Sequence, residues 1–268
     1  MQTENGRVAL VTGASRGIGA AIAKRLAQGG YRIVGTYRQD AVAARAVEEE
    51  IRAGGGACDL VVADQRDPEA LRGPVDLARA RYGRLDAFVA NAASTAFLPL
   101  MDLKLHQMEK TFAVTVQSFL LGTQLCAPLL AAAPGKPGGV VLAISGIDSQ
   151  QVLPMHGLLG SCKAAMEVLV RYLAVELSGL GIRANTINPG ILDTASSRMS
   201  VDQERWKHVV EWTAEVAPAG RMGTPEDVAD LSAFLCSERS SYLNGQTITL
   251  DGGIQCAAFV ASIAQRPV

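Results

Sequence analysis

The stretch RVALVTGASRGIG (7–19) decides the fold. Its apolar run VALV suits a strand covered on both faces. The run passes straight into Gly13, Gly17 and Gly19, spaced GxxxGxG, and then into the helical pattern ASRGIGAAIAKRLAQGG (14–30). Glycines at such a turn let the backbone approach a pyrophosphate, and the helix start offers free N–H groups at its positive dipole end. Three glycines alone are a weak signal. Their place between the first strand and the first helix of a βαβ unit makes this a nucleotide-binding loop.

Outward from this loop, short apolar runs alternate with helical patterns. Further strands are expected at RIVGTYR (32–38), CDLVVAD (58–64), LDAFVANAA (85–93), GGVVLAIS (138–145), IRANTINPG (182–190) and GQTITLDGG (245–253). One helix is expected up to about residue 53, and another at PEALRGPVDLARARYG (68–83), interrupted by Pro74. A long one is expected over 104–132. Seven strands separated by helices predict an α/β fold, a doubly wound parallel sheet of Rossmann type. No linker or repeat divides the 268 residues, so a single domain over 1–268 is expected.

The bulk numbers narrow the function. Net charge is -1, with no basic field for nucleic acid or anionic lipid. No apolar run approaches the roughly 20 residues of a membrane span, and the N-terminus has no leader pattern. The five cysteines form no CxxC and read as reduced thiols of a cytoplasmic protein. None of the three histidines, His106, His156 and His208, pairs with another at ligand spacing, so no metal site is expected. His106 and His208 read as surface helix residues.

TGASRGIG (12–19), ANAAS (90–94), SCKAA (161–165), RYLAVELSGLGIRANTINPG (171–190) and GQTITLDGG (245–253) follow one another in the order of the short-chain dehydrogenase/reductases, which the chain resembles throughout its length. NAAS, RYLAVELS and PAGRM look most like the enoyl-acyl carrier protein reductase branch. The resemblance implies that Gly13, Ser15, Arg16, Gly17, Ile18, Gly19, Asp64, Asn91 and Ala92 line a dinucleotide. It also implies that Pro189, Gly190, Ile191 and Thr194 hold the nicotinamide carboxamide. Lys163 would bind the nicotinamide ribose.

Which dinucleotide binds is a question of charge. NAD sites carry an acid at the end of the second strand, and NADP sites need a cation for the 2′-phosphate. Here the strand ends in Tyr37 and Arg38, with no carboxylate before Asp40, and Arg16 adds a second guanidinium whose planar fork suits phosphate. The expected cofactor is NADPH/NADP+.

The resemblance also implies four cooperating residues: an asparagine, a serine, a tyrosine and a lysine. Lys163 stands at the lysine position. Leu159 occupies the usual tyrosine position, and His156 the alternative one, seven residues before the lysine. Gly146 aligns with the serine and Thr115 with the asparagine. Ser145, one place early, is a candidate for the missing hydroxyl, although one step along a strand turns a side chain to the other face. His156 has three open readings: polarising a carbonyl through an N–H, as a neutral imidazole does in a known isomerase, acting as a base, or simply capping or packing the helix start with no chemistry. Lys163 and an oxidised nicotinamide beside it favour the neutral ring.

Losing a general acid costs about 10²–10⁴ in rate. Ketone reduction leaves an alkoxide that needs the proton, whereas conjugate reduction spreads charge into an enolate. The expected activity is therefore NADPH-dependent reduction of an activated C=C in an enoyl thioester or enone, ahead of a ketone. A non-redox isomerase, dehydratase or cyclase on this fold, or a non-catalytic NADPH-binding partner, stay open.

Cys162 reads as a small packed residue, and Asp148 as a solvated turn residue. Residues 195–217 fall where the family places a substrate lid. There Trp206 and Val210 share a helical face whose first reading is core packing. The family implies a homotetramer or homodimer through the helix carrying Lys163 and the one before it. The apolar IQCAAFVASIAQ (254–265) is expected to pack on a neighbour or over the pocket. The substrate is expected to be a small molecule or acyl thioester.

Overall fold

The structure is a computed structural model that describes residues 6–134, 136–198 and 202–257. Seven strands form one sheet: β1 (Arg7–Val11), β2 (Tyr31–Tyr37), β3 (Cys58–Val62), β4 (Ala87–Ala90), β5 (Val140–Ile144), β6 (Arg183–Pro189) and β7 (Thr247–Leu250). All pairings are parallel, in the order β3-β2-β1-β4-β5-β6-β7. The order reverses between β1 and β4, which opens a crevice at the carboxyl ends of the strands.

Helices cover both faces. On one side α1 (Gly17–Gln28), α2 (Ala41–Ala53) and α9 (Pro225–Leu235) bury Ile22, Leu26, Val47, Ile51 and Val228 against the sheet. On the other side α3 (Arg72–Tyr82), α5 (Ser118–Leu130) and α6 (Gly157–Glu176) bury Val75, Phe119, Leu130, Met166 and Val170. Alternate residues of β5 serve the two faces: Leu142 and Ile144 join the first core, Val141 and Ala143 the second. Double coverage explains why β1, β4 and β5 are continuous apolar runs.

Three differences from the sequence reading have local causes. The third helix begins at Arg72, not Pro68, so Pro74 lies in its first turn, where an absent N–H breaks no helical bond. β4 stops at Ala90 because the N–H groups of Asn91 and Ala92 both turn to Thr12 Oγ1, each at 3.0 Å. The long helix runs as α4 (Leu105–Phe112) and α5, joined by a π-helical turn at Ala113–Gln117.

This helical stretch, Leu105–Leu130, is long and apolar enough by composition to cross a membrane, although the sequence reading found no such run. Phe119, Cys126 and Leu130 of α5 are fully buried against the sheet, so its hydropathy belongs to the core. Two further helices, α7 (Ala195–Arg198) and α8 (Gln203–Val216), precede α9. Of the apolar C-terminal stretch, Ile254 is buried beside Ile147 and Val216, and residues 258–265 lie outside the described residues.

Candidate active site

The glycine loop is built for close approach. Gly13 (φ 68°) and Gly17 (φ 55°) adopt left-handed conformations that disfavour side chains. A Cβ on Gly19 would lie 2.2 Å from the Gly13 carbonyl oxygen and 2.6 Å from Asn91 Nδ2. The Asn91 amide donates to Thr12 O (2.9 Å) and Gly13 O (3.3 Å), tying β4 to the loop. Gly13 N–H donates to Thr36 Oγ1 at 3.2 Å, tying in β2.

α1 starts on Arg16, whose side chain makes no capping bond, and the space above Gly17 is open to 4 Å. Uncapped N–H groups beneath an open glycine form a cradle that fits a pyrophosphate. Ser15 is half-buried at its rim, and Ile18 packs into the core behind it.

At the end of β2, Tyr37 is half-buried and Arg38 exposed. Asp64 is bound by Arg66, Nη2 to Oδ2 at 2.5 Å, and that hydrogen bond pulls its carboxyl down to about 2. Asp40 caps α2, its Oδ1 accepting from Ala43 N–H at 2.9 Å. Its carboxylate is thus committed to a helix start, while Arg16 and Arg38 stay exposed.

Lys163 is buried on α6 and donates to Ile144 O at 2.6 Å, across the end of β5. Burial pushes its ammonium down to about 8, against the opposing pull of Asp148, Cys162 and Glu167. Leu159, one turn earlier, is half-buried and brings no polar atom. Cys162 is fully buried, and burial raises its thiol to about 11, as a packed residue rather than a nucleophile.

The structure corrects two readings in this segment. Ser145 does not offer its hydroxyl to the crevice: it is buried and donates to Glu167 Oε1 at 2.6 Å. The strand's alternation turns residue 145 toward α6, as it turns Val141 and Ala143. The same Glu167 oxygen accepts from Ser149 Oγ (2.7 Å) and Asn188 Nδ2 (3.1 Å). The sequence reading missed Glu167 and Asn188; the available signal was a carboxylate four residues after Lys163 within the apolar AAMEVLV (164–170).

Asp148, expected to be solvated, is half-buried against the start of α6. Burial raises its carboxyl, while Lys163 and His156 pull it down. Asp148 is therefore the group on which both retained candidates converge.

His156 occupies the N-cap position of α6. Its Nδ1 lies 2.8 Å from Pro154 O. A carbonyl only accepts, so Nδ1 carries a proton and Nε2 is the nitrogen left for other partners. The ring packs obliquely on Phe97, centroids 4.9 Å apart. Met155, just before it, has φ 63°, the one left-handed non-glycine among the described residues. Strain of this kind persists where the surroundings hold a segment in place.

Thr115 lies in the π-helical turn, buried, with its hydroxyl unpartnered. Pro189 ends β6 buried, and Gly190 N–H donates to Leu250 O at 2.9 Å, with no room for a Cβ beside Asp251. Ile191 packs on a small core of Ile147, Val216, Ala217 and Ile254. Thr194 Oγ1 accepts from Ser197 N–H at 3.0 Å, opening α7.

In α8 only Thr213 and Val216 are buried. Trp206 and Val210 are half-buried and line an open concavity with Lys207, rather than packing in the core as first read. The buried residues of α8, Thr213 and Val216, lie toward its C-terminal end, while Trp206 and Val210 stay half-exposed. His106 and His208 are exposed. No group of three His, Cys, Asp or Glu side chains suited to a metal comes together among the described residues.

Comparison with known proteins agrees with this architecture. A family model described as enoyl-(acyl carrier protein) reductase matches residues 13–255. A 1-cyclohexenylcarbonyl-CoA reductase of Streptomyces collinus is 36% identical over 252 residues, covering 94% of this chain and 88% of the relative. A short-chain dehydrogenase of Burkholderia cenocepacia, solved with NADP, superposes with a TM-score of 0.84 at 33% identity, over 93% of this chain and 98% of that one. A 7α-hydroxysteroid dehydrogenase, solved with NADH and 7-oxo glycochenodeoxycholic acid, gives 0.85 at 31% identity, over 92% and 94%. With its reversed parallel sheet, glycine cradle and buried Lys163, the chain belongs to the short-chain dehydrogenase/reductases of the enoyl reductase type and is an oxidoreductase that takes a nicotinamide cofactor.

Proposed function

We propose that this enzyme uses NADPH to reduce a carbon–carbon double bond conjugated to a thioester or ketone carbonyl. The observation that carries this reading is the lack of any hydroxyl at positions 146 and 159 beside a buried Lys163. A ketone reductase needs a proton for a full alkoxide, and losing that donor costs about 10²–10⁴ in rate. A conjugated substrate delocalises its charge and takes its proton on carbon. The Streptomyces collinus relative, named as a cyclohexenylcarbonyl-CoA reductase, supports the same substrate class.

Held by its pyrophosphate at the cradle of Gly13, Gly17 and Gly19, the dinucleotide would supply a hydride for the β-carbon of the substrate. The chain's own residues manage the remaining charge and proton. Lys163, fixed at the end of β5, places its ammonium near the developing enolate. His156 has its Nδ1–H committed to Pro154 O, so it donates to substrate only as an imidazolium, from Nε2. That proton goes to the α-carbon. Trp206 and Val210 supply apolar cover for the acyl part. The preference for NADPH rests on the exposed Arg16 and Arg38 and on the engagement of Asp40 in its cap.

A homo-oligomer formed through α4 and α6 belongs to this proposal. Leu105 and Met108 of α4 and Val168, Tyr172 and Val175 of α6 are large apolar side chains left exposed. Initial rates with NADPH and NADH against enoyl-CoA, enone and ketone panels test the reading. It expects fastest oxidation of NADPH with an enoyl thioester. Binding of NADPH without oxidation on any panel member would refute it.

A further inference from the structure

The lack of a side chain at position 146 has a structural counterpart. A Cβ built on Gly146 would lie 2.6 Å from Asp148 Oδ1, so the Asp148 carboxylate occupies the space a side chain there would take. A second glycine makes the same accommodation. A Cβ on Gly160 of α6 would lie 2.2 Å from Asp148 O. These two glycines, one on each side, admit Asp148 to the junction of β5 and α6.

We propose that Asp148, seated in the space left by Gly146 and Gly160, is a positioning residue that holds the Lys163 ammonium at the crevice. This deepens the reductase reading and rests on it for the catalytic consequence. The electrostatics agree. Asp148 is the largest influence raising the Lys163 ammonium against the effect of burial, and the Lys163 charge in turn lowers the Asp148 carboxyl. The titratable groups facing this pair are His156 before α6, and Cys162 and Glu167 within it. Glu167 is held by Ser145, Ser149 and Asn188, while the Asp148 carboxyl accepts from its own backbone N–H.

The test uses two variants that reach the carboxylate by different routes. Asp148→Asn removes its charge. Gly146→Ala leaves the charge but displaces the carboxylate, and residue 146, at φ -170° and ψ 152°, accepts alanine without backbone strain. The full chain, labelled with ε-¹³C lysine, is titrated by NMR with NADP+ bound; only six lysines contribute. The expected result is a Lys163 midpoint lowered by about one pH unit in Asp148→Asn, and lowered in Gly146→Ala.

With an enoyl thioester, kcat should fall roughly a hundredfold in either variant, with its optimum moved to lower pH and NADPH affinity retained. The double variant should be no worse than Asp148→Asn alone. An unmoved Lys163 midpoint in Asp148→Asn, or an unchanged kcat and pH profile in both variants, would overturn the proposal. If the native chain turned over no substrate, the reductase reading would fall, and the lysine titration would still decide where Asp148 acts.

Discussion

Lys163 carries a cost that can be read from stability alone. It is an ammonium buried to 5% exposure with one carbonyl partner. Its folded value of about 8 lies below the ordinary 10.5, because burial disfavours the charged form. That gap corresponds to about 3 kcal/mol lost at neutral pH. The sign follows from proton counting. Below about pH 8 both folded and unfolded chains hold the proton, and the full cost is present. Between about 8 and 10.5 the unfolded chain binds more protons, so stability rises with pH. Above that range the cost is gone.

Other buried groups act in the opposite direction. Cys58 and Cys236 are raised to about 12 by burial, and Tyr31 and Cys126 are raised as well. Each stabilises the fold below its ordinary value and loses that contribution as pH climbs toward its folded value. The native chain alone therefore shows a mixture. The difference between it and Lys163→Met reports the lysine together with Cys162 and Asp148, which its charge influences, because the other thiols and Tyr31 are common to both proteins. The lost bond to Ile144 O adds an offset that does not depend on pH. Urea unfolding of both apo proteins at about pH 7 and about pH 10.5 should show their stability gap moving by about 3 kcal/mol in favour of the native chain. A gap constant to within about 0.5 kcal/mol would refute the buried-ammonium reading.

Four further outcomes are expected. Gly19→Ala should abolish NADPH binding measured by fluorescence, since its Cβ meets Gly13 O at 2.2 Å. Arg38→Ala should lower the NADPH-over-NADH preference in kcat/KM by about tenfold, the worth of one charged hydrogen bond; an unchanged ratio would remove Arg38 from the phosphate site. His156→Phe should lower kcat by about 10²-fold or more with NADPH affinity intact, and stopped-flow binding beside turnover separates the two. Among the five cysteines, Cys256 is exposed and the others are buried, so Ellman's reagent should find one fast thiol in the native chain and five in denaturant.

The sheet was legible because double coverage leaves a simple record: apolar runs such as VALV and FVA, punctuated by turn glycines. Their order followed from the family motifs. The site was legible only where a residue acts at its own position in the chain. Lys163 and the glycine loop are of that kind.

Asp148 was not, because its burial depends on two glycines, Gly146 and Gly160, that meet it only in space. Ser145 was misread for a related reason: one residue of register decides whether its hydroxyl faces the crevice or Glu167. The tautomer of His156 rests on a carbonyl two residues away whose direction is set by the turn around Met155. Trp206 carries a helical periodicity that reads first as core, and only the position of α8 shows it half-buried instead.

The central claim is that a hydride moves from NADPH to an activated alkene in a site with no tyrosine. The direct measurement is turnover of an α,β-unsaturated acyl-CoA with NADPH deuterated at the transferring position, followed by mass and NMR analysis of the product. The account predicts one deuterium on the β-carbon and a solvent proton on the α-carbon. Saturated product without deuterium, or recovery of unreacted alkene at full cofactor occupancy, would contradict it.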